Sequence, residues 1–487
     1  MTGDRVRELD AELAVLGAGP AGLAAAVTAA DAGCRVTVLD LGERIGGQYW
    51  RHPAAGFEAG PHGLHHGRKT FARLAARFTA HVRADRIDHR PGHGVWRIDR
   101  DRGFLVRATA SERDPTTVTV CARATIVATG AYDRHVPFRG WTLPGVVAIG
   151  GAQSLLKGSL VTPGRRIVVA GTGPFLLSAA DGLLRAGAEV PAIVEASRLT
   201  GYLRAPQAVA AAPQKLREAA GYAVTLARHR VPYLTGHAVV EARGEDRVSA
   251  VRVSDLERDW TPRGPERVIA CDTLAVGFGF VPQLELLTQL ECATRIDCTG
   301  MLVVEVDAEQ RTSVAGVFAA GEPTGVGGAD LAVAEGTLAG DAAAAGLGRR
   351  GALDDRSRTV LRRRRSRLRA FAELLAVAHP VRDGWRAWTD GTTQVCRCEE
   401  VTVDEIGAAV GLGARDARAV KLLARPGMGW CQGRVCGPAV ASLSAALNGR
   451  GPRADDLRGL AERPLAQPVA LGALADAAVS KRHPMAE

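Results

Sequence analysis

"AELAVLGAGPAGLAAAVTAADAGCRVTVLD" at 11–40 reads as strand, tight glycine turn, helix and second strand. Leu13, Val15 and Leu16 lead into Gly17-x-Gly19-x-x-Gly22, and the following "RVTVLD" ends on Asp40. Gly17 permits the sharp turn, Gly19 lets backbone approach a pyrophosphate, and Gly22 lets the helix pack closely on the strand. Pro20 and Ala21 open that helix, whose first N–H groups face the phosphates. Asp40, about 20 residues on, suits the hydroxyls of an adenosine ribose. The whole predicts a Rossmann-type dinucleotide site in an α/β fold; the competing reading is a glycine turn without a ligand.

The pattern recurs at 164–197 in "GRRIVVAGTGPFLLSAADGLLRAGAEVPAIVEAS". Gly171 and Gly173 are in place, Leu176 stands at the third glycine position, and Glu195 takes the place of Asp40. A carboxylate there disfavours a 2′-phosphate, so a second adenine nucleotide (NAD, ADP or ATP) is expected rather than NADP. The alternative is a retained fold that passes no hydride.

A chain of 487 residues is too long for one core. Its formal charge of +10 comes mostly from scattered Arg, with one dense run, "RSRTVLRRRRSRLR" at 356–369. Without a basic stripe interleaved with aromatics, no nucleic-acid partner is expected, and the run reads as one solvated helix. Leu361, Leu368, Phe371 and Leu375 give that helix an apolar face, and Pro380 stops it. No stretch reaches the roughly 20 apolar residues of a membrane span, and the N-terminus lacks a signal-peptide pattern. A cytoplasmic protein is expected.

Four of the nine cysteines crowd the C-terminal part as Cys396-x-Cys398 and Cys431-x4-Cys436. Between them Thr402 and Glu405 form a capping box, opening a short helix with Ile406, Ala409 and Val410. Two thiolate pairs on opposing loops suit a [2Fe–2S] rhomb, one pair per iron. Zinc also takes four cysteines, usually through C-x2-C knuckles, and unliganded packing is the third possibility. Cys34, Cys121, Cys271, Cys292 and Cys298 form no closely spaced pair, which argues against disulfide reduction. His62, His65 and His66 in "GPHGLHHG" are read as a loop near the bound dinucleotide or a partner surface rather than a metal site, and no catalytic acid or base is assigned.

"RATIVATGAYDRHVPFRG" at 123–140 and "VAGVFAAGEPTGVGGADLAVAEGTLAGDAAA" at 314–344 resemble segments of the two-dinucleotide-domain flavoprotein oxidoreductases. That resemblance implies FAD at the first turn, contacted by Thr129, Gly130, Gly321, Glu322 and Gly328, with Gly47 and Gln48 of "ERIGGQYW" in a flavin-proximal loop. It implies that Glu322 reaches the ribitol, and that the following helix points its N-terminus at the flavin C2 carbonyl. "CRCEEVT…GMGWCQGRVCG" resembles the bacterioferritin-associated-ferredoxin type of [2Fe–2S] domain. Its fusion behind an FAD domain is similar to the alpha subunits of heteromeric amine and amino-acid dehydrogenases, a family that includes opine oxidases, hydroxyproline and proline dehydrogenases and hydrogen cyanide synthase.

The resemblance implies two Rossmann-like domains plus a small helical C-terminal [2Fe–2S] domain. Its boundaries are an FAD domain at 1–145 and 271–347, an inserted nucleotide domain at 146–270 and a linker at 348–393. A cluster domain at 394–450 and a docking tail at 451–487 follow. It also implies two partners, a beta flavoprotein subunit that oxidises the amine and a small ferredoxin-like subunit. A stand-alone NADH-dependent reductase and a non-catalytic iron–sulfur docking module are the alternatives.

Overall fold

The computed structural model describes residues 6–53, 64, 66–110, 116–204 and 213–479. Its seven-stranded sheet is built outward from the strand of the first glycine turn. Val6–Leu16 lies between Val36–Leu39 and Thr117–Val127, parallel to both, and Val317–Ala319 joins Thr117–Val127. Ile87–Arg90 extends one edge, and the antiparallel pair Phe104–Thr109 and Gly94–Arg100 extends the other. Helix Pro20–Asp31 packs on helix Ala329–Gly346 through small residues. A Cβ on Gly336 would stand 2.0 Å from the Ala21 carbonyl oxygen, and one on Gly340 would stand 2.4 Å from that of Ala25. The Ala- and Gly-rich sequence of both helices is therefore a requirement of their separation.

The second sheet is five-stranded and parallel, in the order Tyr233–Thr235, Ile193–Glu195, Ile167–Gly171, Thr273–Gly277, Val146–Ala148. Thr273–Gly277 belongs to this sheet, so the expected boundary at 270 falls one strand early. The run "TLAVG" is apolar on both faces, and such a strand carries no sign of which sheet it enters.

Helix Asp355–Ala378 departs from the expected solvated arginine helix. Arg358, Arg362, Arg365 and Arg369 recur at helical spacing on its inner face and pair with Asp341, Glu309 and, for the last two, Glu335. Arg356, Arg363, Arg364 and Arg367 keep the solvent side. The inner stripe was invisible in the sequence because the acidic partners are distant in the chain.

The connection to the C-terminal part is packed rather than loose. Trp388 is fully buried, stacks on Trp260 with ring centroids 5.7 Å apart and donates to the Trp260 carbonyl at 3.0 Å. Trp141 donates to the Gln394 carbonyl at 2.6 Å. Short helices Val403–Gly411, Ala417–Ala424, Gly437–Leu447 and Ala454–Ala461 then share one apolar core with the second sheet and the flank of the first. The tail docks on its own chain: Ala466 donates to the Trp96 carbonyl at 2.7 Å, and Gln289 donates to the Arg463 carbonyl at 3.2 Å.

Candidate functional site

The first glycine turn has the tight geometry its residues imply. Gly17 has φ 108°, and a Cβ there would lie 2.4 Å from the Ala128 carbonyl oxygen; one on Gly22 would lie 1.8 Å from that of Gly17. Gly19, the N-cap of helix Pro20–Asp31, faces Gly47, whose Cβ would come 2.8 Å from the Gly19 Cα. Gly17, Gly19, Pro20, Ala21, Gly22 and Gly47 are thus gathered at one helix start. Asp40 is partly exposed and accepts from the backbone N–H groups of Ala18 and Gly42, both at 3.1 Å; burial raises its carboxyl pKa against those bonds. Thr129 donates to the Gln283 carbonyl at 2.8 Å, and Gly130, at φ 81°, has open space where a side chain would stand. Gln48 accepts from Arg51 at 2.7 Å.

Gly321 abuts this turn, its virtual Cβ 3.0 Å from that of Ala21. Glu322 is the residue expected to reach the ribitol. Its carboxylate turns back and accepts from Gly327 and Gly328, at 3.3 and 3.2 Å, at the start of helix Ala329–Gly346. Burial pushes its pKa up to about 7 against those two bonds. The longer side chain lets Glu322 curl onto the N–H groups expected to face the flavin carbonyl.

A clamp that sequence reasoning missed holds this segment. Fully buried Glu335 accepts from Gly321 at 3.0 Å, from the Thr324 hydroxyl at 2.9 Å and from Arg369 at 2.6 Å. Arg369 donates in addition to the Gly325 carbonyl at 2.8 Å. The available signal was a lone Glu inside an apolar helix. Arg369→Met should leave Glu335 buried without its closest cation and cost about 3–5 kcal/mol, read as a lowered denaturant midpoint. The double variant with Glu335→Gln should recover part of that loss.

The second turn is closed differently. Gly171 and Gly173 have φ 137° and 104°, and Leu176 is fully buried in the second domain's core. Glu195 is fully buried, accepting from the Thr172 hydroxyl at 2.7 Å and from the Gly173 and Ser197 N–H groups, each at 2.9 Å. Nδ1 of His379, delivered by the end of the linker helix, lies 3.5 Å from Glu195, and its Nε2 pairs with the Tyr202 hydroxyl at 2.7 Å. The ribose carboxylate of this turn is therefore occupied by its own chain. His66 pairs with Tyr222 at 3.0 Å, whereas His62 and His65 lie outside the described residues.

The cysteines converge as the sequence implied. Thr402 and Glu405 make the capping box of helix Val403–Gly411, and Cys436 is the N-cap of helix Gly437–Leu447. Thiol contacts run from Cys396 to Cys436, from Cys436 to Cys431 and from Cys431 to Cys398. Gly427 donates to the Cys396 sulfur at 3.3 Å. The Cys436 contact and that N–H bring Cys396 down to about 6 against burial, and Cys431 is also lowered, first by Cys436. Cys436, sharing its proton with both, is raised. Cys396 and Cys436 are buried, Cys431 is half-buried and Cys398 is exposed. Among the described residues no group of three or more His, Cys, Asp and Glu is arranged to hold a metal ion. Contacts strung along four thiols fit a two-iron rhomb better than the single centre of zinc.

This fold and site define a nucleotide-binding oxidoreductase with an appended cysteine domain. Residues 11–336 match the family described as pyridine nucleotide-disulphide oxidoreductase, and 394–445 match the BFD-like [2Fe-2S] binding domain. The chain is 32% identical to the opine oxidase A-type subunit of Rhizobium meliloti (strain 1021), over 95% of this chain and 98% of that one. It is also 32% identical to the hydrogen cyanide synthase component HcnB of Pseudomonas protegens, over 87% and 89%. The crystal structure of L-proline dehydrogenase from P. horikoshii shares the fold, with a TM-score of 0.68 and 18% identity, covering 96% of this chain and 80% of that one. The chain belongs to the pyridine nucleotide-disulphide oxidoreductase family, in the branch of HcnB and the opine oxidase A-type subunits. None of the described helices is long and apolar enough to cross a membrane.

Proposed function

We propose that this chain is the FAD- and [2Fe–2S]-binding electron-transfer alpha subunit of a heteromeric, cytoplasmic dehydrogenase or oxidase. The substrate class is a secondary amine or amino acid such as an opine, hydroxyproline or proline. The observation that carries the reading is an accessible first turn and four thiols in a chain of contacts within one packed chain, while the second turn is filled from within. The names of the relatives supply the substrate class and the expectation of partner subunits.

Gly17, Gly19 and Gly22 with Gly47 would admit the FAD pyrophosphate, Asp40 would orient the ribose, and Thr129, Gly130, Gly321 and Gly328 would border the flavin side. Cys396, Cys398, Cys431 and Cys436 would hold the cluster. When bound, these two groups supply the two-electron and one-electron chemistry. The chain's own contribution is positional: Glu335 and Arg369 fix the Gly321–Gly325 backbone, and Glu322 holds the glycines of the next helix. The amine-oxidising site is assigned to a beta flavoprotein subunit, and a small ferredoxin-like subunit is the further partner.

Occupied Glu195 leaves little capacity to accept ribose hydroxyls, so the second fold is read as structural rather than as a hydride entrance. Two outcomes are expected of the isolated chain. It should show little or no turnover of opines or imino acids, and NADH should bleach its flavin slowly or not at all in anaerobic stopped flow. Robust amine turnover by the chain alone would overturn the subunit reading. Fast bleaching by NADH would favour the self-sufficient reductase.

A further inference from the structure

Positive charge is buried beside the cysteine loop in excess of the negative charge that faces it. Arg434, inside the Cys431–Cys436 loop, has a 12% exposed side chain with Nε 2.7 Å from a carboxylate oxygen of Glu285, which is 6% exposed. Its guanidinium lies over the Tyr132 ring, 5.6 Å from the centroid. Arg463 follows helix Ala454–Ala461, donates to the Leu460 carbonyl at 2.6 Å and reaches Gln432 of the cysteine loop at 3.5 Å. Both arginines and Glu285 line a cavity of about 60 Å³ between the cysteine loop and the strand bearing Tyr132. Lys421 adds a third cation near enough to feel Arg463 and Cys436. Glu399, the other nearby carboxylate, is 3.3 Å from Arg425.

Arg434 and Arg463 thus share one buried carboxylate, Glu285, in that cavity. A buried charge is costly unless an opposite charge meets it, and a cluster ligated by four thiolates is such a counter-charge. The cluster gains one negative charge on accepting an electron, and its potential follows local charge.

We propose that Arg434 and Arg463 set the reduction potential of the [2Fe–2S] centre by stabilising its reduced state, and that Glu285 offsets part of their effect. The inference rests on the cluster assignment above. The step is the transfer of one electron to the oxidised cluster, from dithionite in the test, with no bond made or broken at the arginines.

The test is an anaerobic redox titration of the full chain followed by electron paramagnetic resonance. Arg434→Met and Arg463→Met should each lower the midpoint potential by about 59 mV, a tenfold change in the oxidised-to-reduced ratio at fixed potential. Arg463→Lys keeps the charge and should stay near wild type. Glu285→Gln, close in shape, should shift the potential upward, and it carries the test even where an arginine variant loses its cluster. Opposite shifts support charge control, because a general loosening of the loop does not reverse sign with the charge removed. Unchanged potentials, or a downward shift for Glu285→Gln, overturn the inference while leaving the cluster assignment intact. A wild-type chain that binds no cluster defeats both.

Discussion

Prepared without oxygen, the full chain is expected to carry one [2Fe–2S] cluster, and Cys→Ala at 396, 398, 431 or 436 to remove most of it. Each change deletes a thiolate and leaves one iron with an open position, which alanine cannot fill; serine can retain a weakened cluster through its oxygen. Iron and sulfide analysis with low-temperature electron paramagnetic resonance of the reduced protein measures this directly. The flavin should remain, because helix Pro20–Asp31 at the first turn packs in a core cluster distinct from the one containing Cys396 and Cys436. Stoichiometric zinc in wild type, or an intact cluster in all four variants, would defeat the electron-transfer reading. The loops carrying the four cysteines should loosen with loss of the cluster, since metal-site binding energy contributes to folding, while the helices around them stay packed on the shared core.

The second large effect is expected at Gly19. A Cβ there meets nothing closer than the Gly47 Cα at 3.9 Å, so Gly19→Val should fold and fill the space in front of the helix N-terminus. The purified variant should be colourless, with the visible flavin bands lost and the far-ultraviolet circular dichroism retained. At Gly22 the added carbon would stand 1.8 Å from a backbone oxygen, so Gly22→Val should damage folding as well as binding. A Gly19→Val protein with full flavin would show the site to be elsewhere.

Much of the fold was legible because its signals are local. The glycine turns, the alternation of apolar strand and Ala-rich helix, the Thr402–Glu405 box and the cysteine spacings each act within a few residues. The backbone there obeys sterics that do not depend on the rest of the chain. What stayed hidden depends on partners far apart in sequence. Arg369 meets Glu335 across 34 positions, and Trp388 stacks on Trp260 across 128.

The sequence alone determined that two strand–glycine–helix units and a four-cysteine module coexist here, since glycine conformation and thiol spacing are properties of the local chain. Only the tertiary structure decided which of the two nucleotide turns stays accessible. Asp40 and Glu195 end equivalent strands and look alike in one dimension. His379, arriving at the end of the linker helix, lies beside Glu195 and not Asp40, because helix Asp355–Ala378 anchors its inner arginines on Asp341, Glu309 and Glu335. Long-range charge pairing and burial place that helix, and no local pattern encodes where its end will land.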